Sequence, residues 1–338
     1  MAGRPIGTVA AALTLSGTIA AVGYRRRALS GSGTVGAMLV GTATYLAGGP
    51  RWSVLLLGFF GSSSALSRLE GRSADGRSIA AMAERGSRRD LVQALANGGV
   101  ATLAALCRLR FSHPAWAAAY AGALAAANAD TWATEIGGLS RTPPRHILTN
   151  APVEPGTSGG VTAAGLGGAV AGSVLIGALS ALALGGSLSA GERVARTGAV
   201  QGAPTRTRMA GEGPVHDGLA GNGVASGGVA RGELAGNALE SRSVLWSVVA
   251  VTLAGIAGSL VDSMAGATIQ AGYACPACDK PTERRVHGCG TRTVLVRGQS
   301  WVTNDLVNAI CTATGAALAG GALLARGAVA PATSDPEA

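Results

Sequence analysis

Charge is scarce in this chain of 338 residues: Asp, Glu, Lys and Arg together make up 13%, about half the share found in a typical soluble domain. Aromatic residues are rarer still at 4%, too few for the stacking platforms on which nucleic-acid bases lie. A net charge of +9 therefore does not point to a nucleic-acid partner. Five cysteines are too few for a secreted disulfide scaffold. The 53 glycines follow no collagen-like triplet period, and the apolar content is too high for a disordered chain. What is abundant is apolar surface: hydrophobic residues are 48% of the chain and the mean hydropathy is +0.34. Such a chain is solvated largely by lipid.

Apolar stretches long enough to cross a bilayer, about 17 to 25 residues each, recur at 5–23, 34–50, 52–67, 91–107, 114–138, 159–187, 243–271 and 302–325. The fold class is all-α, a polytopic integral membrane protein of about eight transmembrane helices. The second and third stretches are short enough for a re-entrant pair, so the range is six to nine. Alanine and glycine outnumber leucine within the stretches, which allows close helix approach, as at Gly168-x-x-x-Gly172. The first stretch ends in Arg25-Arg26-Arg27 without a preceding A-x-A site, the pattern of a retained anchor. Residues 188–241 are rich in Gly, Ser and Ala, carry His216 and Asp217, and read as a flexible linker. It separates an N-terminal membrane half, 1–187, from a C-terminal half, 242–330.

Orientation follows from the basic residues. The odd-numbered loops carry sixteen Lys and Arg and the even ones nine, six of the nine in the long linker. The odd loops are expected in the cytoplasm and the protein in the cell membrane, crossing it several times.

Polar side chains inside membrane spans are costly and face a bundle interior or a wet cavity. Four groups occur, and the topology places all of them near one side. Asp90, Gln93 and Asn97 form one helical stripe after Arg88 and Arg89; Asp90 also suits a helix cap, but Asn97 lies too deep for one. Asn128, Thr131 and Glu135 share a face at the end of the fifth stretch, while Asp130 sits well around the helix. The two carboxylates converge only if the helix unwinds near Gly137 and Gly138. Asp262 lies on a stripe with Ser259, Gly266 and Gln270, and Asn304, Asp305 and Asn308 open the last stretch. Three acidic sites and several amides meeting at one membrane face favour a functional pocket.

Between the fifth and sixth stretches lie Arg141 and Arg145, then the turn Gly156-Thr157-Ser158-Gly159-Gly160 leading into a helix. Backbone N–H groups, two hydroxyls and a helix N-terminus suit phosphate, and Arg145 is placed to clamp it. Beside carboxylates able to hold Mg²⁺, that combination is what phosphoryl transfer requires.

Cys275-x2-Cys278 and His287-x-Cys289 bring four metal-binding side chains into fifteen residues of the loop 272–300. In a reducing cytoplasm these suit a structural tetrahedral zinc, with free thiols as the alternative. Cys107 and Cys311 fall within spans and read as packing residues.

Several runs together resemble the transmembrane protein 19 family, also called domain of unknown function 92. They are Gly58-Phe59-Phe60-Gly61-Ser62-Ser63-Ser64, Gln93-Ala94-Leu95-Ala96-Asn97-Gly98, the segments 129–137, 155–161 and 258–267, and Asn304-Asp305-Leu306-Val307-Asn308. They cover nearly the whole chain apart from the linker and the ends. The resemblance implies a multi-pass membrane protein. Plant members include phytyl-phosphate kinases, which turn a prenyl monophosphate into the diphosphate. The 130–137 run and the glycine-rich turn are also distantly similar to the pattern in dolichol and phytol kinases, which use CTP. A lysine often found after the serine run is absent here, with Arg68 and Arg72 nearby instead.

The leading expectation is a membrane kinase that transfers a phosphoryl group from CTP or another nucleotide to an isoprenoid alcohol or its monophosphate. Asp130, Glu135 and Asp262 would hold Mg²⁺ and Asp305 would orient the acceptor. The turn at 156–160 and Arg145 would bind phosphate, and Gln93, Asn97, Asn128, Asn304 and Asn308 would support them. The same residues also suit nucleotidyl transfer to a lipid phosphate. The competing expectation is a transporter whose intramembrane acids couple ion and solute movement, and a third is a scaffold whose zinc loop binds a partner.

Overall fold

The computed structural model describes residues 6–70, 88–188 and 225–329. Its helices are α1 (Ile6–Arg25), α2 (Gly31–Glu70), α3 (Leu91–Arg110), α4 (Ala115–Gly138), α5 (Ala163–Leu188), α6 (Ala225–Thr268) and α7 (Asn304–Val329). Five of the described segments are long and apolar enough to cross a bilayer: Ile6–Arg25, Leu91–Arg110, Ala163–Leu188, Arg242–Thr268 and Asn304–Arg326. Leu103, Leu182, Leu245 and Leu253 project outward at 60% exposure or more, which is the surface a lipid solvent requires and water penalises. The all-α polytopic class stands. Two small sheets decorate the loops: β1 (Arg145–His146) pairs with β2 (Gly160–Val161), and β3 (Gly272–Cys275) lies between β4 (Lys280–Thr282) and β5 (Val294–Arg297), every pairing antiparallel.

α4 is the axis of the bundle. From Ala115 to Ala129 it is buried on nearly all sides, because its run of alanines gives neighbouring helices room to close in around the whole circumference. On one flank Gly165, Gly168 and Gly172 of α5 sit against the backbone oxygens of Ala133, Trp132 and Asn128. That settles the Gly168/Gly172 spacing as a packing device. On another flank Gly122 faces Gly315 of α7, and Gly258 of α6 wedges between Ala126 and Cys311, where an added Cβ would lie 2.6 Å from the alanine methyl. The helices that follow the linker thus pack directly on the axis of the first half.

The second and third apolar stretches form one hairpin. Gly49 adopts φ 74° inside α2 and Pro50 follows it; glycine tolerates the left-handed conformation and proline cannot continue the helical ladder. Gly33, Gly36 and Val40 meet Arg89, Ala94 and Gly98 in rising order, so the first arm runs parallel to α3. Trp52, Ser63 and Ser67 meet Tyr120, Asn128 and Glu135 in the same way, so the second arm runs parallel to α4. α3 and α4 are joined by a short loop and run opposite ways, so the arms are antiparallel. The Tyr120 hydroxyl donates to the carbonyl of Trp52 at 2.6 Å, with the two rings 4.7 Å apart, tying the hairpin to the axis near its turn.

α6 begins at Ala225, inside the stretch read as linker. Alanine, leucine and glutamate between 225 and 241 are good helix formers, and propensity outweighs the glycines there. His216, Asp217 and Arg72 lie outside the described residues.

Candidate functional site

The C-terminal ends of α2, α4 and α6 and the N-terminal ends of α3, α5 and α7 gather at one end of the bundle, with the two sheets. All four polar groups are therefore at that end.

One turn beyond the tight crossing of Gly258, Ala126 and Cys311, Asp130 of α4 and Asp262 of α6 come into side-chain hydrogen-bond contact. The parallel run of the two helices brings together residues 132 positions apart. Both are half-buried, and the Oδ2 of Asp262 is sealed from solvent without a hydrogen-bond partner. Glu283 acts electrostatically on Asp262, and both acids act on Cys311. Carboxyl oxygens held this close call for a proton or a cation between them. Hard oxygen donors with one lone pair left over fit Mg²⁺. Asp305 is 7% exposed in the first turn of α7.

Glu135 does not join that pair. α4 continues unbroken to Gly138, so the unwinding that would have turned Glu135 toward Asp130 does not occur. Gly137 instead lets Gly165 and Thr162 approach. The Oε1 of Glu135 accepts a short hydrogen bond from Ser67 of α2, its Oε2 is sealed and unpartnered, and its charge is felt by Arg89. The single ligand set expected of Asp130, Glu135 and Asp262 is divided: Asp130 and Asp262 meet between α4 and α6, and Glu135 faces α2.

The amides have structural partners. Asn128 is fully buried; its Oδ1 accepts from Ser62 and Ser63 at 3.1 and 3.2 Å, and its Nδ2 donates to the carbonyl of Gly172 at 2.8 Å. Asp90 and Gln93 form a reciprocal capping box at the start of α3, which satisfies donors the helix leaves orphaned. Asn97 donates to the carbonyl of Gln93. Asn304 lines a small polar cleft with Gln270, Glu283, Arg285 and Ser300, and Asn308 lies half-buried one turn further along α7.

The glycine-rich turn is occupied by the protein itself. Ser158 donates to Glu283 at 2.5 Å and accepts from Gln270 at 3.2 Å, while Gln270 also donates to Glu283 at 2.8 Å. Arg297 of β5 donates to the carbonyls of Ser158 and Ala267, each at 3.2 Å. Gly159, at φ 82°, lies so close to α6 that a Cβ would fall 2.5 Å from that of Ala267. Thr157 and Gly160 close the turn through a backbone hydrogen bond of 2.9 Å, and Gly156 reverses the chain at φ 88°. Arg145 is exposed and donates to the carbonyl of Asn150. The phosphate cradle expected from the sequence is thus a clasp between the α4–α5 connection, α6 and the Cys/His loop. A carboxylate on Ser158 makes that hydroxyl a poor phosphate donor. Glu283 and Arg297 escaped the sequence reading because the residues they hold are 125 and 139 positions away.

The Cys/His loop gathers its four side chains as spaced. The ligand atoms of Cys275, Cys278, His287 and Cys289 all lie within 4.8 Å of one another. The sulfurs of Cys275 and Cys289 are 3.6 Å apart, and His287 Nδ1 is 3.1 Å from the Cys289 sulfur. A tetrahedral zinc with Zn–S near 2.3 Å spaces its sulfurs by roughly 3.8 Å, so the quartet fits. The Thr291 hydroxyl, then the His287 ring, hydrogen-bond the Cys289 sulfur and bring that thiol down to about 5. A hydrogen bond with Cys289 holds the Cys278 thiol up at about 11.

A bundle with a lipid-facing belt and a polar site at one end is an integral membrane protein of the multi-pass kind. The model of the family described as integral membrane protein DUF92 matches residues 14–316, and the chain belongs to that family. Among curated proteins it is 31% identical over 298 residues to Protein PGR of Arabidopsis thaliana, covering 82% of this chain and 86% of the relative. It is also 32% identical over 142 residues to the uncharacterized membrane protein MJ0933 of Methanocaldococcus jannaschii, covering 42% of this chain and 57% of that one. No solved structure matches.

Proposed function

We propose that the protein is a membrane-embedded phosphotransferase that moves a phosphoryl group from a nucleotide, CTP foremost, to an isoprenoid alcohol or prenyl monophosphate, with its polar end in the cytoplasm. The observation that carries this is the meeting of Asp130 and Asp262, with the Oδ2 of Asp262 sealed and unpartnered. Both acids would hold Mg²⁺, which supplies neutralisation of phosphate charge when bound. With little covalent chemistry for the chain to perform, its work is positioning and exclusion of water. The tight crossing below the pair closes the site toward the apolar side, and Glu283, whose charge acts on Asp262, lines a polar cleft with Gln270, Arg285 and Asn304. Cys275, Cys278, His287 and Cys289 would hold a structural zinc that braces β5, which carries Arg297, and the end of β4, which Glu283 follows, and so the clasp on Ser158.

Purified protein in detergent, given labelled CTP or ATP, Mg²⁺ and a panel of prenyl alcohols and monophosphates, should transfer label to the lipid phase. Transfer should vanish in Asp130→Asn and Asp262→Asn. Absence of transfer with every donor, together with solute uptake into liposomes that depends on the same acids, would replace this reading with a transporter.

A further inference from the structure

At the same end of the bundle, on the opposite flank of α4 from the acid pair, an apolar crevice runs between α1, both arms of α2 and α3. It encloses about 780 Å³ of empty space, part of it open to the surroundings. Ile19, Leu56, Leu57 and Phe60 contribute to its wall, and the exposure of Leu57 at 38% places its mouth on the lipid-facing surface. Its polar end is Arg89. The guanidinium stands over the rings of Phe59 and Phe60, 5.6 and 5.9 Å from their centroids. Its backbone is pinned to the α1–α2 loop, where its N–H donates to Ala28 and its carbonyl accepts from Ser30. The Nη1 of the side chain is sealed from solvent and makes no hydrogen bond. A buried guanidinium donor without an acceptor is costly. The sealed Oε2 of Glu135 lies within electrostatic reach of it.

We infer that this crevice binds a single-chain amphiphile with a phosphate monoester head, its isoprenoid tail between α1, α2 and α3 and its head on Arg89. An apolar slot opening to lipid suits a tail that arrives by lateral diffusion. A cation at its inner end with a sealed, unbonded N–H donor suits an anionic head. A phosphate monoester in its monoanionic form also carries one O–H, the complement of an orphan carboxylate oxygen such as that of Glu135. The assignment rests on the proposed transfer reaction and makes the crevice the acceptor's entry site on the α2 side of α4, from which the head passes the end of α4 to reach the metal-binding acids on the α6 side.

The test is binding, measured apart from turnover. Protein in detergent is equilibrated with a diazirine-bearing geranylgeranyl monophosphate, irradiated and digested. Adducts are expected on α1, the α2 arms or α3, competed by unlabelled monophosphate but not by inorganic phosphate. Arg89→Gln should weaken monophosphate binding at least tenfold while leaving the parent alcohol's affinity within twofold, and Arg89→Lys should restore part of the loss. Leu57→Trp, which fills the crevice without touching the cation, should weaken both ligands. Adducts confined to α6 or α7, or equal affinities in wild type, Arg89→Gln and Leu57→Trp, would overturn the assignment. Asp262→Asn separates this inference from the reaction. Retained binding with lost transfer leaves both standing, and tight binding in a wild-type protein that transfers nothing sinks only the reaction. Transfer whose KM for the monophosphate is unmoved by Arg89→Gln and Leu57→Trp sinks only the crevice.

Discussion

Asp262→Asn is expected to make the protein more stable in the absence of metal and inactive in its presence. Two full charges about 3 Å apart at an effective dielectric near 20 repel by roughly 5 kcal/mol. A proton shared between Asp130 and Asp262 removes most of that but leaves the Oδ2 of Asp262 buried without a partner. Asparagine removes the second charge and its amide can still donate to Asp130, so a net gain of about 1–2 kcal/mol is expected. For a large domain that is a rise in Tm of roughly 2–6 °C. The assay is thermal unfolding in detergent with chelator, repeated across a magnesium titration. Wild type should gain about 2.7 kcal/mol at a hundredfold excess of Mg²⁺ over its Kd, and the variant should gain nothing. A bundle that uses the pair only as a helix-to-helix hydrogen bond would behave oppositely, with Asp262→Asn melting lower in chelator and both proteins responding equally to magnesium. That pattern would refute the ligand role.

Asn128→Ala removes three hydrogen bonds from a fully buried side chain and should cost about 2–3 kcal/mol, at roughly 0.6–1 kcal/mol for each bond in a membrane bundle; an unchanged Tm would show that the serine run finds other partners. Gly159→Val puts a branched side chain at φ 82° and against Ala267, so it should lower Tm and, by lifting the clasp, reduce transfer several-fold; wild-type values of both would dismiss the clasp. Wild type should carry one zinc per chain by elemental analysis and Cys275→Ser much less, and equal metal content would discard the zinc site. After chelation, iodoacetamide at pH 7 should mark Cys289 well before Cys278, because one thiol titrates at about 5 and the other at about 11, with peptide mass spectrometry giving the order. Since the Cys289 value lies below the ordinary 9.0, its contribution to the metal-free loop is complete above pH 9 and disappears as pH falls through about 5.

The features legible in the sequence were those whose signal is local or periodic. Five spans follow from hydropathy, the Gly168/Gly172 contact from spacing, and the Cys/His quartet from its fifteen-residue window. The Gly49–Pro50 turn was legible only as a pair of short stretches, since chain direction is fixed by which neighbours each arm meets. The misassigned features depend on which flank of a helix finds a partner. Glu135 and Asp130 are both acids on α4, and periodicity alone says they point apart; that Arg89 and Ser67 stand on one side and Asp262 on the other is set by packing. The glycine-rich turn carries the residue types of a phosphate loop, yet the same types serve close approach to Ala267. Residues 125 positions away decide between the two uses.

The way the halves interlock bears on the choice between catalysis and transport. Alternating access moves one bundle against another around a fixed site, which requires an interface that can slide or open. Here the axis helix α4 belongs to the first half by sequence, yet its flank is engaged by Gly255 and Gly258 of α6 and by Gly315 of α7 at distances that leave no room for even a methyl group. Ser173 of α5 donates across to the carbonyl of Thr252 in α6 at 2.7 Å. The acid pair lies on this very interface. Rocking α6 and α7 away from α4 would part Asp130 from Asp262 in each cycle and expose sealed polar groups to hydrocarbon. A site assembled from both halves on a glycine-tight seam is suited to holding phosphate groups and a cation in fixed positions, as the proposed transfer requires.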